Sequence, residues 1–235
     1  MSDKKNKMTQ EDIMVMLSKV YDQSIQGIPK VSIPIEQLAN EYLTKSENVD
    51  EAAKSFMKYQ IAKCTTSGFV TSLGGFITLP IAIPANISSV IYVQMRMIAC
   101  LAYMGGYDIS SDQVQTLVYA CLAGVSVDHI VKNVGIQFGV KFANAMVKKI
   151  PGSVLTKINK AVGFRFLTKF GSKGLINIGK MVPVVGAVVG GGFDFVETKI
   201  IADRAYKMFI RNDFSTDSKC KNVVDLDDVV VETEE

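Results

Sequence analysis

The chain has 235 residues, 48% of them hydrophobic and 21% charged, with 26 Lys and Arg against 23 Asp and Glu and only 4 Cys. At roughly 100 to 200 residues per domain this is one large domain or two small ones, and the composition excludes a wholly disordered chain, a disulfide-stapled miniprotein and a collagen-like fibre. A mean hydropathy of +0.22 is high for a freely soluble domain and raises a membrane question that the net charge of +3 leaves open.

The chain begins MSDKKNKMTQE, and Glu11, Asp12, Lys19 and Asp22 follow where a secretory leader would place an unbroken apolar run. A cytoplasmic start is therefore expected, with residues 1–12 read as a charged N-terminal arm. Ile13, Met16, Leu17, Val20 and Tyr21 recur at three- and four-residue spacings, which predicts an amphipathic helix ended by Gly27 and Pro29. A second helix is predicted from about Pro34 to Leu43, since Pro is accepted in a first turn. A third, from about Val49 to Cys64, would carry Ala52, Phe56, Tyr59 and Lys63 on one stripe. Cys64, Cys100, Cys121 and Cys220 are scattered, as expected of reduced thiols acting as small hydrophobes.

Between Lys63 and Arg96 lie 32 residues without a formal charge, more than the roughly 20 needed to cross a bilayer core. Gly68, Gly74, Gly75, Pro80 and Pro84 interrupt the run. They leave an apolar piece from Phe69 to Leu79, a Pro-Ile-Ala-Ile-Pro turn, and a helix from about Ala85 to Met104 that Gly105 and Gly106 end. Ser110 and Gln113 have capping-box spacing ahead of the apolar run Val114 to Val127.

Residues 132–193 then hold ten Lys and Arg and no Asp or Glu, whereas 213–235 hold eight acidic residues and two basic ones. The near-neutral total conceals a basic block and an acidic tail. Pro151 with Gly152, and Gly171 with Gly174, divide the block into about three short helices. Pro183 opens a second glycine-rich apolar element that runs on to about Arg211. Residues 212–235 are read as an acidic, disordered tail. No strand alternation and no repeat emerges, so the expected fold is all-α: a single helical, bundle-like domain over residues 13–211 with glycine-rich apolar helices.

Templates for catalysis fail. One His and no C-x-x-C pair argue against a metal, and His129 beside Asp128 points elsewhere on a helix. GLINIGKM at 174–181 approaches the phosphate-binding G-x-x-x-x-G-K-[ST] pattern, but Met181 stands where a hydroxyl is required. No catalytic residue and no cofactor is assigned. Gly74, Gly75, Gly186 and Gly190 are candidates for close helix packing, in a membrane or in a soluble core alike.

Lys141, Lys148, Lys149, Lys157, Lys160, Arg165, Lys169 and Lys173 form a candidate surface for anionic headgroups, with Phe138, Phe142, Phe164, Phe166 and Phe170 interleaved. Nucleic acid would answer the same charge, but the flanking uncharged segments suit a membrane better. A solvated basic face balanced by the tail is the plainer reading. Arg96, alone in its apolar helix, should face protein and find backbone carbonyls or a carboxylate, with Asp108, Asp112 and Asp128 as candidates for a buried ion pair.

The stretch SGFVTSLGGFITLPIAIPANISSVIYVQMRMIACLAYMGGYDISSDQVQTLVYACLAG, with KIPGSVLTKINKAVGFRFLTKFGSKGLINIGKMVPVVGAVVGGGFD from Lys149 to Asp194, resembles the EcsC protein family over about residues 20–211. The resemblance implies a bacterial, helical, membrane-associated protein. The family's namesake is encoded beside the subunits of an ABC transporter linked to secretion, which makes a membrane transporter a possible partner. It brings no established catalytic residues. The expectation is a non-enzymatic accessory factor of membrane transport or secretion, cytoplasmic or on the cytoplasmic side of the cell membrane, bound to anionic lipids, with neither nucleic acid nor metal as a partner. The alternative is a soluble helical enzyme or carrier whose apolar pocket takes a lipid-like ligand, with Arg96, Asp108, Asp112 and Asp128 as its polar groups.

Overall fold

The computed structural model describes residues 9–64, 85–128, 143–170 and 192–214. Among these the protein is all-α: α1 Gln10–Gln26, α2 Ile35–Leu43, α3 Val49–Cys64, α4 Ala85–Met104, α5 Asp112–Ala123, α6 Ala143–Val147, α7 Gly152–Phe170 and α8 Gly192–Ala205, the last running into a π turn at Tyr206–Ile210. Phe69 to Leu79, residues 183–191 of the second glycine-rich element, and Gly74, Gly75, Gly186 and Gly190 lie outside the described residues.

The central element is α4. It packs against α1, α2, α3, α5, α8 and the π turn, and Tyr92, Met95, Met97, Ile98 and Leu101 are almost wholly buried. From Ser89 onward, then, the uncharged run is the interior of a bundle, each face met by another helix. No described helix is long and apolar enough to cross a membrane. Gly105 lets the end of α4 approach the π turn, since a Cβ there would sit 2.1 Å from the carbonyl oxygen of Phe209.

Helix ends follow local chemistry, and several differ from expectation. Thr9 Oγ1 accepts from the Asp12 amide at 3.1 Å, and the Thr9 amide donates to the Asp12 carboxylate at 2.9 Å. This capping box satisfies two free donors and starts α1 at Gln10, so the last residues of the expected arm 1–12 are helical. At α5 the cap is Ser111 and not Ser110, because Asp108 captures Ser110 through its amide at 3.0 Å and its hydroxyl at 2.6 Å. In α3 the inward face is Ala52, Ala53, Phe56 and Met57, while Tyr59 is 53% exposed. Ala52 and Phe56 of the expected stripe are therefore inward and Tyr59 is not, while the side chain of Lys63 lies outside the described part.

At the C-terminal end Phe214 is buried and Tyr107 Oη donates to Asn212 Oδ1 at 2.6 Å. Packed chain thus continues beyond the expected 211/212 boundary.

Candidate functional site

Arg96, near the middle of α4, is 8% exposed. Its Nη1 donates to the carbonyl of Ser24 at 2.8 Å and its Nη2 to the carbonyl of Ile33. Ser24 lies in the last turn of α1, where carbonyls lack intrahelical partners. One guanidinium therefore closes that helix and ties down the turn that follows it. Burial pulls its pKa below the usual value, and the neighbouring Tyr92 and Cys100 oppose the shift; an arginine stays charged regardless.

The turn itself is stiff. Ser32 Oγ accepts from the Ile28 amide at 2.9 Å and meets Tyr92 Oη at 2.6 Å. Gly27 has φ 78°, and a Cβ there would come within 2.3 Å of the Ser32 carbonyl oxygen. Lys30, at φ 65°, is a non-glycine residue in the left-handed region.

Beside this clamp opens a cleft of about 480 Å³ between the turn, α2, α3 and α4. Arg96, Tyr92, Tyr42, Tyr59, Gln60 and Lys30 contribute to its lining, with Glu41 at its exposed edge. Burial raises the Tyr42 pKa, aided by the nearby Tyr59, Cys100 and Glu41. Sequence reasoning singled out Arg96 but missed the cleft, whose tyrosines come from three different helices.

The three candidate aspartates stand elsewhere. Asp108 is exposed and occupied by Ser110, and its carboxyl is held below the usual range by those bonds and by Lys148. Asp112 is exposed in the first turn of α5, and Asp128 is half-buried beyond that helix. All three follow Met104 in sequence, more than two turns of α4 away from Arg96. Carbonyls, the other expected partner type, hold the guanidinium.

Among the candidate cations, Lys148 and Lys149 are exposed between α6 and α7, and Lys157 and Lys160 are exposed on α7. The opposite face of α7, with Val154, Ile158, Val162 and Phe166, is buried. Phe166 thus belongs to the core. Arg165 turns inward: its Nε donates to the Ala123 carbonyl at 3.2 Å, next to Arg204, whose Nη1 donates to the Cys121 carbonyl at 2.6 Å. Both cap the end of α5, where Gly124 adopts φ 73°. Burial and the charge of Arg204 lower the Arg165 pKa. Lys141, Lys173 and the side chain of Lys169 lie outside the described part.

No three His, Cys, Asp or Glu side chains converge as metal ligands among the described residues. A second charged group was not anticipated: Asp50 on α3 pairs with Lys54 at 2.7 Å and Arg211 at 3.0 Å and accepts from Tyr206 Oη. Asp50 and Lys54 have the i, i+4 spacing of a helix pair, but Tyr206 and Arg211 lie too far away in sequence for spacing to bring them in.

An all-α bundle wound about one buried helix, with a cationic outer face, is the class these features define. The family model for the EcsC protein family matches residues 1–211, and the chain belongs to that family. No curated protein and no solved structure matches the chain.

Proposed function

We propose that the protein is a peripheral, membrane-associated factor without a catalytic reaction of its own, recruited to anionic lipid on the cytoplasmic side of the membrane as an accessory to transport or secretion. The observation that carries this reading is the cationic face. Residues 143–170 contain six Lys and Arg and no acid, and Lys148, Lys149, Lys157 and Lys160 are exposed while the other side of α7 is packed. Each cation near an anionic leaflet contributes about 1 kcal/mol, and the attraction decays over a Debye length of about 8 Å at physiological salt. Four such cations suffice to localise a protein reversibly. Membership of the EcsC family supports the transport setting.

Vesicle flotation tests the reading. The protein should float with phosphatidylglycerol vesicles, stay behind with phosphatidylcholine vesicles, and be released by salt. Exchanging Lys157 and Lys160 for Glu should abolish flotation without altering the circular dichroism spectrum. Failure to float with either vesicle, or tighter retention on nucleic acid than on lipid, would overturn it.

A further inference from the structure

The cleft beside Arg96 is unrelated to the lysine face, and its chemistry is different. A charge taken out of water is normally offset by an opposite charge. Arg96 is buried, yet no carboxylate among the described residues bonds it; its partners there are two carbonyls and the Tyr92 hydroxyl. A guanidinium has five N–H donors, more than those partners absorb. The side chain also borders open volume, about 480 Å³, and the lysine of the adjoining turn lines the same space.

We propose that this cleft is a binding site for a small phosphate monoester, its oxygens received by Arg96 and Lys30 and its body held among Tyr42, Tyr59 and Tyr92. Two cations match the roughly two negative charges of such a group near neutral pH, and the N–H groups of Arg96 that its present partners leave over would donate to the phosphate oxygens. The tyrosines, from α2, α3 and α4, offer aromatic faces to the rest of the molecule. Glu41 lies at the exposed edge on the tyrosine side, so an ammonium carried on that body is accommodated there. The site is already organised: the bonds from Arg96 to Ser24 and Ile33, and that between Tyr92 and Ser32, fix the floor before any ligand arrives. Lys30 is held in its left-handed backbone by the same turn. A phosphate monoester could be a free metabolite or the headgroup of a phosphatidic acid, and the same oxygens would engage either.

The test is calorimetric titration of the full chain in free solution, without vesicles, so that failure of the lysine surface and failure of the cleft are separable. The probes are inorganic phosphate, phenyl phosphate, phosphocholine and dihexanoyl phosphatidic acid below its micelle concentration. At least one organic phosphate should bind saturably and about tenfold more tightly than inorganic phosphate. A preference for the phosphatidic acid assigns the headgroup; a preference for phenyl phosphate or phosphocholine assigns a free molecule. Because Arg96 also supports the fold, the decisive variants are Lys30→Asn, which removes the charge while tolerating the left-handed backbone, and Tyr59→Ala on an exposed ring. Each should weaken binding by about fivefold or more, at the scale of one charged hydrogen bond or one aromatic contact. No saturable binding of any probe up to about 10 mM, or binding that neither variant alters, would overturn the proposal.

Discussion

Arg96 reaches from the central helix to the carbonyl of Ser24, 72 positions earlier in the chain, at 2.8 Å. The bond joins the only formal charge in α4 to the open end of α1. Arg204 on the carbonyl of Cys121 and Arg165 on that of Ala123 repeat the device at the end of α5. In each case an arginine meets the partial negative charge that a helix C-terminus presents. Carbonyl dipoles, with no carboxylate supplied by the described residues, are what make the buried guanidinium of Arg96 tolerable.

Arg96→Met tests that relationship. The substitution keeps apolar bulk but leaves the buried Ser24 carbonyl and the half-buried Ile33 carbonyl without their donor. An orphaned buried acceptor costs about 1–3 kcal/mol, partly offset because no charge is desolvated any longer. A net loss of about 2 kcal/mol is expected, read as a lower urea midpoint with an unchanged slope. Arg96→Lys should recover only part of it, because one ammonium cannot fork between two carbonyls. A midpoint equal to wild type for Arg96→Met would sink the clamp.

Gly27→Ala probes the turn that the clamp holds. A methyl group at φ 78° is strained, and this one would also meet the Ser32 carbonyl oxygen at 2.3 Å. Left-handed strain alone costs about 1–3 kcal/mol, so a destabilisation of at least about 2 kcal/mol is expected in thermal unfolding. Gly152→Ala is the control: a Cβ there meets nothing within 4 Å, so its melting temperature should hold or rise.

How much of this was legible in the sequence depends on distance along the chain. Pro84 before α4 and Gly105 and Gly106 after it delimit the helix, and its Ala85–Met104 span is as predicted. The isolation of Arg96 signalled a buried cation needing a partner. Which partner was not legible, since it depends on how a turn 63 positions away from Arg96 comes to rest. The lysines of α7 stood out as a basic run, but Arg165 could not be separated from them: its inward turn depends on the C-terminus of α5. Ser110 and Ser111 offer the same hydroxyl to the start of α5, and the bond that Ser110 donates to the Asp108 carboxylate decides between them. Periodicity finds the core of α1 and the Ala52 and Phe56 positions of α3, but it places Tyr59 inward where the ring is exposed.

Asp50 gives a pH signature. Hydrogen bonds from Lys54 and Tyr206 and the charge of Arg211 hold its carboxyl below the ordinary value of 3.8. A depressed folded-state pKa contributes stability that is complete above the unfolded-state value and fades as pH falls through the folded one. Asp50→Asn should therefore melt below wild type at pH 7, and the gap should close progressively as the pH is lowered from about 4. Because the carboxylate is at the surface, added salt should narrow the same gap at neutral pH. A gap that widens in acid would assign the role of Asp50 to something other than its charge.

The thiols of Cys100 and Cys121 offer a direct measure of how tightly the bundle is closed. Both side chains are wholly buried, and burial pushes each pKa up to about 12, with Arg96 and Arg204 respectively opposing the shift. The thiolate is the reactive form, so neither should react while the fold is intact. In a Cys64→Ser, Cys220→Ser background, a disulfide reagent at pH 8 should label no thiol in native protein and both thiols in guanidinium. Labelling that does occur natively should proceed at the rate of opening, independent of reagent concentration when the chemistry outpaces reclosing. Arg96→Met should accelerate labelling at Cys100, one turn further along α4, more than at Cys121, because the clamp secures α1 over that stretch of the central helix. Equal acceleration at both sites would mean that the substitution loosens the whole bundle and that the clamp has no local action.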